Sequence, residues 1–373
     1  MLPIIRALRA RGVEPLVAVP DPERALRLFG AEAPRMIRAI PLPLANGTLR
    51  AFNSHADIFL QGGFANVTTL SVAVDGWRAL YRDERIECVV LDYAPVAQLA
   101  AWLMGLRMVT RSSAFAAPPV PLPAFLPVTP RIAGLIEASE RELLHCVNHL
   151  VTRDGRPALE SLAPWLLSSK RFFSGTAQLS VFDVAPEGGY LGPLGALPGT
   201  ETAEWPDSGR ARVLCYLRWS PRTPALIEAL DRADRELVCA IPQAPGQWAQ
   251  GLPRERVRVF TAPVDLQRLI RTANVIVSHA SAGVACEALI AGKPQLFIPL
   301  DREKMLIAQR LTQLKVALML PPGAPAAQAS LSMQRLLDDS GFTLAAKKIS
   351  HELRPEEWAM SLDRLVGTCA DSN

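Results

Sequence analysis

The chain has 373 residues, enough for two domains of roughly 150–200 residues each. Hydrophobic residues make up 49% of it and charged residues 20%, a composition that supports sizeable cores and excludes a disordered chain. The 40 basic and 36 acidic residues give a net charge of +4, and the basic residues are scattered. Because a nucleic-acid-binding surface usually leaves a basic stripe, we expect no nucleic-acid partner.

We also expect neither a membrane span nor a secretory signal. No apolar run reaches the roughly 18 residues of a span. The apolar stretch at the N-terminus is too short for a signal peptide, because a charged residue follows after five positions. The six cysteines form no CxxC pair, which is typical of reduced core cysteines. We therefore expect a cytoplasmic protein that holds no metal.

The first half of the chain alternates helices and strands. In chain order the spacing predicts a helix over Met1–Arg11, a strand over Pro15–Val19, a helix over Glu23–Phe29, a strand over Cys88–Leu91, a helix over Val96–Leu103 and a strand over Arg107–Thr110. Residues 112–130 carry six prolines and cannot be helical. An α/β unit normally opens with a central strand, and here a helix comes first.

A Pro- and Gly-rich stretch at 185–210 predicts an interdomain linker. After it, strands are expected at Val213–Leu217, Leu237–Ile241, Val257–Phe260, Val275–Ser278 and Gln295–Ile298, and helices at Pro224–Ala233, Val264–Thr272, Ala282–Ala291, Lys304–Leu314 and over 331–366. Strands separated by helices of this length predict a parallel sheet with right-handed crossovers.

Residues 274–309 contain the clearest pattern of a ligand-binding site in the sequence. A buried strand ends at Ser278, His279 follows it, and a loop of small residues that includes Ser281 and Gly283 leads into a helix. The N–H groups of such a loop and helix start favour an anion, and small side chains let a ligand approach the backbone. Glu287, about one and a half turns into the helix, could accept two ribose hydroxyls. The pattern predicts a phosphate-binding site.

Three more polar residues follow neighbouring strands. Glu303 and Lys304 come after the strand that ends at Ile298, and Arg218 comes after Val213–Leu217. Because the carboxyl ends of parallel strands share one edge of the sheet, we expect these side chains in the same crevice. Arg218 could contact a diphosphate there, and simple exposure to solvent is the alternative.

This segment resembles the donor site of the family 1 GT-B glycosyltransferases, the group that holds the plant and macrolide nucleotide-sugar enzymes. Their pattern is His-x-Gly-x-x-[Ser/Thr]-x-x-Glu-Ala-Leu, then x-Gly-x-Pro, then Pro-x-x-x-[Asp/Glu]-Gln. The chain matches at His279, Glu287-Ala288-Leu289, Gly292-x-Pro294 and Pro299-x-x-x-Glu303. The resemblance is good over residues 213–320 and weak elsewhere.

The resemblance implies a role for each matching residue. His279 would bind the donor's diphosphate and Glu287 the ribose, while Glu303 and Lys304 would contact the sugar hydroxyls. Two departures stand out: Ala280-Ser281-Ala282 replaces a glycine-rich triplet, and Lys304 stands where the family has Gln. Lysine keeps a donor but loses the acceptor of the amide, which could change the sugar preference.

The family's catalytic base is a His in an N-terminal Gly-His-x-x-Pro loop after the first strand, and this chain has no such loop. Arg11-Gly12 matches the end of the helix that follows that loop, so the His would lie a few residues upstream of Met1. A late start or a truncated sequence is one explanation, and a real loss of the base is the other. Asp92 fits the carboxylate that orients this His. His55 lies in a polar stretch and is expected to be a solvated loop residue.

The acceptor side is predicted from the proline-rich loop. Ser113-Ala114-Phe115-Ala116-Ala117-Pro118-Pro119 resembles an acceptor-side element of bacterial members, and Phe115 with the nearby Trp102 would form an apolar wall. Packing in a core or an interface explains these two residues equally well. The wall would suit an aromatic, polyketide or lipid acceptor.

The expected fold is α/β of the GT-B type, with two doubly wound Rossmann-like domains facing across a cleft. The predicted domains are 1–190, which binds the acceptor and lacks its first strand, 191–335, which binds the donor, and 336–373, helices that return to the first domain. The resemblance implies transfer of a hexose-type sugar from a UDP- or dTDP-sugar to a hydroxyl of a small, apolar or lipid acceptor, with no further cofactor.

Two alternatives stay open. One is a nucleotide-sugar-binding protein without turnover, and the other is a nucleotide-sugar 2-epimerase. A monomer and a homodimer are both compatible with the sequence, as is peripheral contact with a membrane.

Overall fold

The computed structural model describes residues 1–44, 51–194, 203–245, 247–253 and 255–370. The chain divides into two compact units: unit 1 comprises Met1–Ser174, Phe182–Leu194 and Glu356–Asn373, and unit 2 comprises Gly175–Val181 and Gly195–Pro355. Among the described residues, no helix is long and apolar enough to cross a membrane.

Unit 1 is built from short parallel strands and longer helices. Its strands are β1 (Leu16–Val19), β2 (Arg35–Arg38), β3 (Cys88–Leu91), β4 (Arg107–Ser112), β5 (Lys170–Phe173) and β6 (Gly189–Tyr190). Its helices are α1 (Leu2–Arg9), α2 (Pro22–Phe29), α3 (His55–Phe59), α4 (Val67–Asp83), α5 (Pro95–Met104), α6 (Pro130–Arg153), α7 (Ala163–Leu166) and the last helix, α14 (Pro355–Ala370). β1 pairs with β2, and a second sheet has the order β3-β4-β5-β6.

Local sequence explains how β3, α5 and β4 follow one another. The apolar run Cys88–Leu91 suits a strand buried on both faces. Pro95 stands in the first turn of α5, where its missing N–H costs nothing, and Gly105 ends the helix in the left-handed conformation. The strand ends of this sheet thereby open onto the loops that carry Asp92 and the proline-rich segment.

Unit 2 is a six-stranded, all-parallel sheet. Its strands are β7 (Ala211–Tyr216), β8 (Arg235–Ala240), β9 (Val257–Phe260), β10 (Val275–Ser278), β11 (Gln295–Phe297) and β12 (Ala317–Met319), in the order β12-β11-β10-β7-β8-β9. Its helices are α8 (Thr223–Leu230), α9 (Leu266–Thr272), α10 (Ala282–Ile290), α11 (Arg302–Gln313), α12 (Ala326–Asp338) and α13 (Ser340–Glu352).

The sheet of unit 2 reverses its strand order between β7 and β10. The first strand of the unit, β7, has β8 on one side and β10 on the other. Alternate residues of β7 enter different cores: Val213 and Cys215 pack on the α8/α12 side, and Leu214 packs on the α9/α10 side. In open α/β sheets, ligands bind outside the carboxyl ends of the strands at such a reversal.

The structure confirms the α/β class and the parallel sheets, and it adds strands that the sequence analysis missed. These are β2, β5, β6 and β12. Each of these strands has only two to four residues. In β2 (Arg-Met-Ile-Arg) and β5 (Lys-Arg-Phe-Phe), basic residues also interrupt the apolar run by which a buried strand is recognised in a sequence. Residues 112–130 contain no helix before Pro130, as predicted.

The division of the chain differs from the predicted domain ends. The helical tail is broken at Asp339 and before Pro355, and only α14 groups with unit 1. Met333, Phe342 and Ala346 pack into the cores of unit 2, which holds α12 and α13 there.

The predicted linker at 185–210 is only partly described, because residues 195–202 lie outside the described ranges. Within it, Gly189–Tyr190 form β6. Trp205 is buried, and its indole N–H donates to Thr272 Oγ1 at 2.8 Å. This part of the stretch therefore belongs to the core of unit 2.

Candidate functional site

The predicted site residues of unit 2 lie at the reversal between β7 and β10. β10 ends at Ser278, His279 follows it, and α10 begins at Ala282. Burial of β10 is complete, so the strand fixes the position at which the chain leaves the sheet. The loop that holds Arg218 follows the neighbouring β7, which pairs with β10 in register from Val213 to Tyr216.

His279 binds two backbone groups. Its Nδ1 lies 2.7 Å from the carbonyl oxygen of Ile298, and its Nε2 lies 2.9 Å from the backbone nitrogen of Arg218. A backbone N–H can only donate, so Nε2 accepts and the imidazole proton sits on Nδ1, which donates to Ile298. Burial, followed by the positive charges of Lys304 and Arg218, lowers the pKa of His279. Because Nε2 accepts a hydrogen bond, the imidazole is neutral, and it ties together the chain segments that follow β7, β10 and β11.

This arrangement differs from the expectation that the imidazole donates to a phosphate, because neither ring nitrogen has a free N–H. The donors that remain are backbone groups. Ser281 precedes α10 without a side-chain hydrogen bond that caps it, so the first-turn N–H groups of α10, including that of Gly283, are not satisfied by the N-cap side chain. Ala280 holds a φ of +62°, a conformation that glycine adopts more readily.

Glu287 is oriented by a residue that the sequence analysis missed. The side-chain amide of Gln267 donates to Glu287 Oε1 at 2.9 Å. Gln267 is in the first turn of α9, which Asp265 caps through the N–H groups of Gln267 and Arg268. A helix cap thus fixes the amide, and the amide fixes one carboxylate oxygen.

The loop after β11 forms a second polar cluster. Asp301 caps α11 by accepting the backbone N–H of Lys304 at 3.0 Å, and it also forms an ion pair with the ammonium group of Lys304. Glu303 stands beside them in the first turn. Asp301 therefore neutralises the charge of the lysine that replaces the family's Gln.

In unit 1, Asp92 follows β3 as predicted, and its partner is an arginine. Arg111 Nη1 donates to Asp92 Oδ2 at 2.7 Å from the adjacent strand β4. The geometry holds the carboxylate in a fixed place at the end of the strand.

Phe115 and Trp102 have different packing partners. Phe115 is buried against Phe125 and Phe182, and Trp102 on α5 packs against the guanidinium of Arg156. The packing alternative therefore describes the surroundings of Phe115, and an acceptor wall formed by the two side chains stays a prediction. The same proline-rich loop contributes Ala116, Ala117 and Pro118 to a pocket instead.

The expectation of a solvated His55 is also wrong. His55 begins α3, is fully buried and lies among four phenylalanine rings. Its Nε2 lies 2.6 Å from the carbonyl of Phe115, and burial lowers its pKa to about 4. The polar neighbours that suggested a loop are buried too, because Ser54 and Asp57 form a capping box for α3.

The chain resembles known proteins over its whole length in structure and over part of it in sequence. Residues 224–362 match the family described as Erythromycin biosynthesis protein CIII-like, C-terminal domain. A curated UDP-sugar-dependent glycosyltransferase 52 of Dictyostelium discoideum is 24% identical over 107 residues, which is 28% of this chain and 6% of that protein.

Solved structures cover nearly all of the chain. The glycotransferase of kitacinnamycin aligns with a TM-score of 0.73 at 19% identity, over 98% of this chain and 94% of that one. VinC in complex with dTDP aligns at 0.65 and 17% identity, over 98% and 94%. The spinosyn rhamnosyltransferase SpnG, complexed with spinosyn aglycone, aligns at 0.65 and 22% identity, over 94% and 91%. These likenesses establish the GT-B fold.

Proposed function

We propose that this chain, which has the GT-B fold and carries an erythromycin CIII-like C-terminal domain in residues 224–362, transfers a sugar from a nucleoside diphosphate sugar to a hydroxyl of a small molecule. The observation that carries the proposal is the arrangement at the β7/β10 reversal. There the first turn of α10 has no side-chain cap, and Glu287 lies farther along the same helix, held by Gln267.

The diphosphate would bind at the start of α10. The first-turn N–H groups supply donors, and the helix dipole favours the negative charge that develops when the sugar leaves. His279 acts through the backbone: by accepting the N–H of Arg218, it fixes the loop that carries the exposed guanidinium of Arg218. That guanidinium would contribute a positive charge to the diphosphate.

The ribose would bind at Glu287. A carboxylate accepts two hydroxyl groups side by side, and the amide of Gln267 leaves Oε2 and the remaining lone pairs for them. VinC was solved with dTDP and SpnG with thymidine diphosphate, so dTDP is the nucleotide to test first. UDP is the second choice.

The sugar would lie near the first turn of α11, where Glu303 accepts its hydroxyls. Lys304 can only donate, and its ion pair with Asp301 limits how far its ammonium group reaches. We infer a hexose-type sugar whose orientation depends on Glu303. Asp92, fixed by Arg111 at the end of β3, would act on the acceptor side as a positioning carboxylate.

Product analysis tests the transfer. The protein is incubated with dTDP- and UDP-hexoses and a panel of hydroxylated aromatic and polyketide acceptors, and mass spectrometry follows the glycosylated product. A hexose mass added to an acceptor supports transfer. Because an epimer has the same mass as the donor, NMR follows the donor in the reaction without acceptor. An isomerised donor there indicates epimerisation, and an unchanged donor that still binds the protein indicates binding without turnover.

A further inference from the structure

A pocket in unit 1 lies over the row that Leu91, Thr110 and Arg171 form across three strands. Leu91 of β3 is in register with Thr110 of β4, and Thr110 is in register with Arg171 of β5. Side chains of residues directly opposite each other in paired strands share a face of the sheet. Arg171 is therefore a fixed part of the pocket floor.

The rest of the pocket is mostly apolar. Its walls come from the helices and loops around the floor, among them Phe59, Tyr93, Gln98, Pro118 and Leu166. Two of its polar side chains are already engaged. The hydroxyl of Thr110 is hydrogen-bonded to Ser169 at 2.6 Å, and the amide N–H of Gln98 is shared between the carbonyls of Trp165 and Leu166.

Arg171 is more than nine-tenths buried and only partly satisfied. Its Nε and Nη2 donate to the carboxylate of Glu187, which forms an ion pair with it. Although burial would raise the pKa of Glu187, the hydrogen bonds from Arg171 hold that pKa below its usual value. The Nη1 atom is buried and has no acceptor among the described residues.

The planar shape of the guanidinium determines where the unmet donor lies. With the Nε–Nη2 edge on Glu187, Nη1 is the nitrogen farthest from that carboxylate. A buried donor of a charged group that lacks an acceptor is costly, and a ligand oxygen that reaches it gains a charge-assisted hydrogen bond. At the rim, Tyr93 holds a φ of +46°, a strained conformation for a bulky residue.

We propose that this pocket binds an oxo group of the acceptor, that is, a carbonyl or carboxylate oxygen that carries no proton, with Nη1 of Arg171 as its donor. The inference rests on the proposed function because it assigns the pocket to the acceptor. An oxo oxygen satisfies Nη1 without placing a further proton among apolar walls. Arg171 is thereby a specificity-determining residue that selects apolar acceptors carrying an oxo group.

Matched small probes test the assignment. Acetophenone, 1-phenylethanol and ethylbenzene have nearly the same size and differ at one oxygen, and benzoate supplies the charged oxo group. Ligand-observed NMR titration of the full chain gives their affinities. We expect acetophenone and benzoate to bind about 10-fold tighter than ethylbenzene, with 1-phenylethanol between them. Equal affinities of acetophenone and ethylbenzene would overturn the proposal. A preference for benzoate alone would narrow the oxo group to a carboxylate.

Two variants separate a role of Nη1 from a structural role of the ion pair. Arg171→Lys keeps a positive charge for Glu187 but removes Nη1, and we expect it to abolish the 10-fold preference. Glu187→Gln leaves Nη1 in place, and we expect the preference to persist. Loss of the preference in both variants, or in neither, contradicts the proposal. If Arg171→Lys does not fold, the wild-type probe series and Glu187→Gln still decide the outcome.

A dTDP titration of the same samples keeps the two proposals apart. Binding of dTDP together with equal probe affinities contradicts only the oxo pocket. A 10-fold oxo preference in a protein that binds none of dTDP, UDP and GDP contradicts the donor site and leaves the pocket as a binding site.

Discussion

The backbone N–H of Arg218 donates to Nε2 of His279, while Nδ1 of the same imidazole lies 2.7 Å from the carbonyl of Ile298. One neutral side chain therefore joins the loops that follow β7, β10 and β11 at the proposed donor site. This relationship makes His279 a positioning residue for the loop of Arg218.

Replacing His279 by Ala should loosen these loops. It removes one acceptor and one donor from backbone groups, so we expect the free energy of unfolding to fall by about 1–3 kcal/mol and the dTDP dissociation constant to rise about 10-fold. Chemical denaturation and calorimetry measure the two effects. His351→Ala, in the exposed part of α13, is the matched control and should change neither. A His279→Ala protein with wild-type dTDP affinity would contradict the positioning role.

Gln267 should act on the nucleotide through Glu287. In Gln267→Leu the carboxylate loses its amide donor, and we expect dTDP affinity to fall about 5-fold, less than in Glu287→Gln. Because the two side chains share one hydrogen bond, the double variant should show a coupling of about 1 kcal/mol. A calorimetric double-mutant cycle measures this coupling. Strict additivity of the two effects would show that Gln267 does not work through Glu287.

Lys304→Gln restores the residue that the family carries and breaks the ion pair with Asp301. The pair is partly exposed and Asp301 still caps α11 through the backbone, so unfolding free energy should change by less than about 1 kcal/mol. We expect kcat/KM to shift between donor sugars by about 5-fold while dTDP itself binds as before. Steady-state assays with paired donors provide the readout, with the exposed Lys348→Gln as control. An equal change for every sugar would place Lys304 away from the sugar.

Acid should destabilise the protein through His55. The pKa of His55 falls from 6.5 in the unfolded chain to about 4 in the buried site, so above pH 6.5 both states hold the neutral ring. As the pH drops from 6.5 toward 4, the unfolded state takes up a proton that the folded state excludes, and up to about 3 kcal/mol of stability is lost. Urea unfolding at pH 7.5 and pH 5 should show this loss in the wild type and a smaller one in His55→Gln. The same pH dependence in both proteins would assign the effect to other groups.

The sequence predicted the parts of the site that local pattern determines. The apolar run Val275–Ser278, the small loop residues and Glu287 follow each other in the chain, so their spacing placed a strand, a loop and a helix correctly. Gln267 and the carbonyl of Ile298 reach the site through the tertiary fold and leave no local signal. Arg111 likewise reaches Asp92 from a neighbouring strand.

The errors have a common physical origin. Asn53, Ser54 and Asp57 look like a solvated loop, yet they are buried because their polar groups bind each other, Ser139 and the start of α3. For Phe115 the sequence left ligand contact and core packing equally open, and the ring packs against His55. Burial of polar residues depends on partners that are distant in sequence, and a single sequence does not reveal them.

Calorimetric titration of dTDP into the wild type and into Glu287→Gln tests the central claim most directly. Glu228→Gln, an exposed glutamate on α8, is the matched control. The donor-site account predicts saturable binding of one dTDP per chain, weakened about 10-fold by Glu287→Gln and unchanged by Glu228→Gln. The account is contradicted if the folded wild type binds none of dTDP, UDP and GDP. It is also contradicted if Glu287→Gln binds dTDP with the affinity of the wild type.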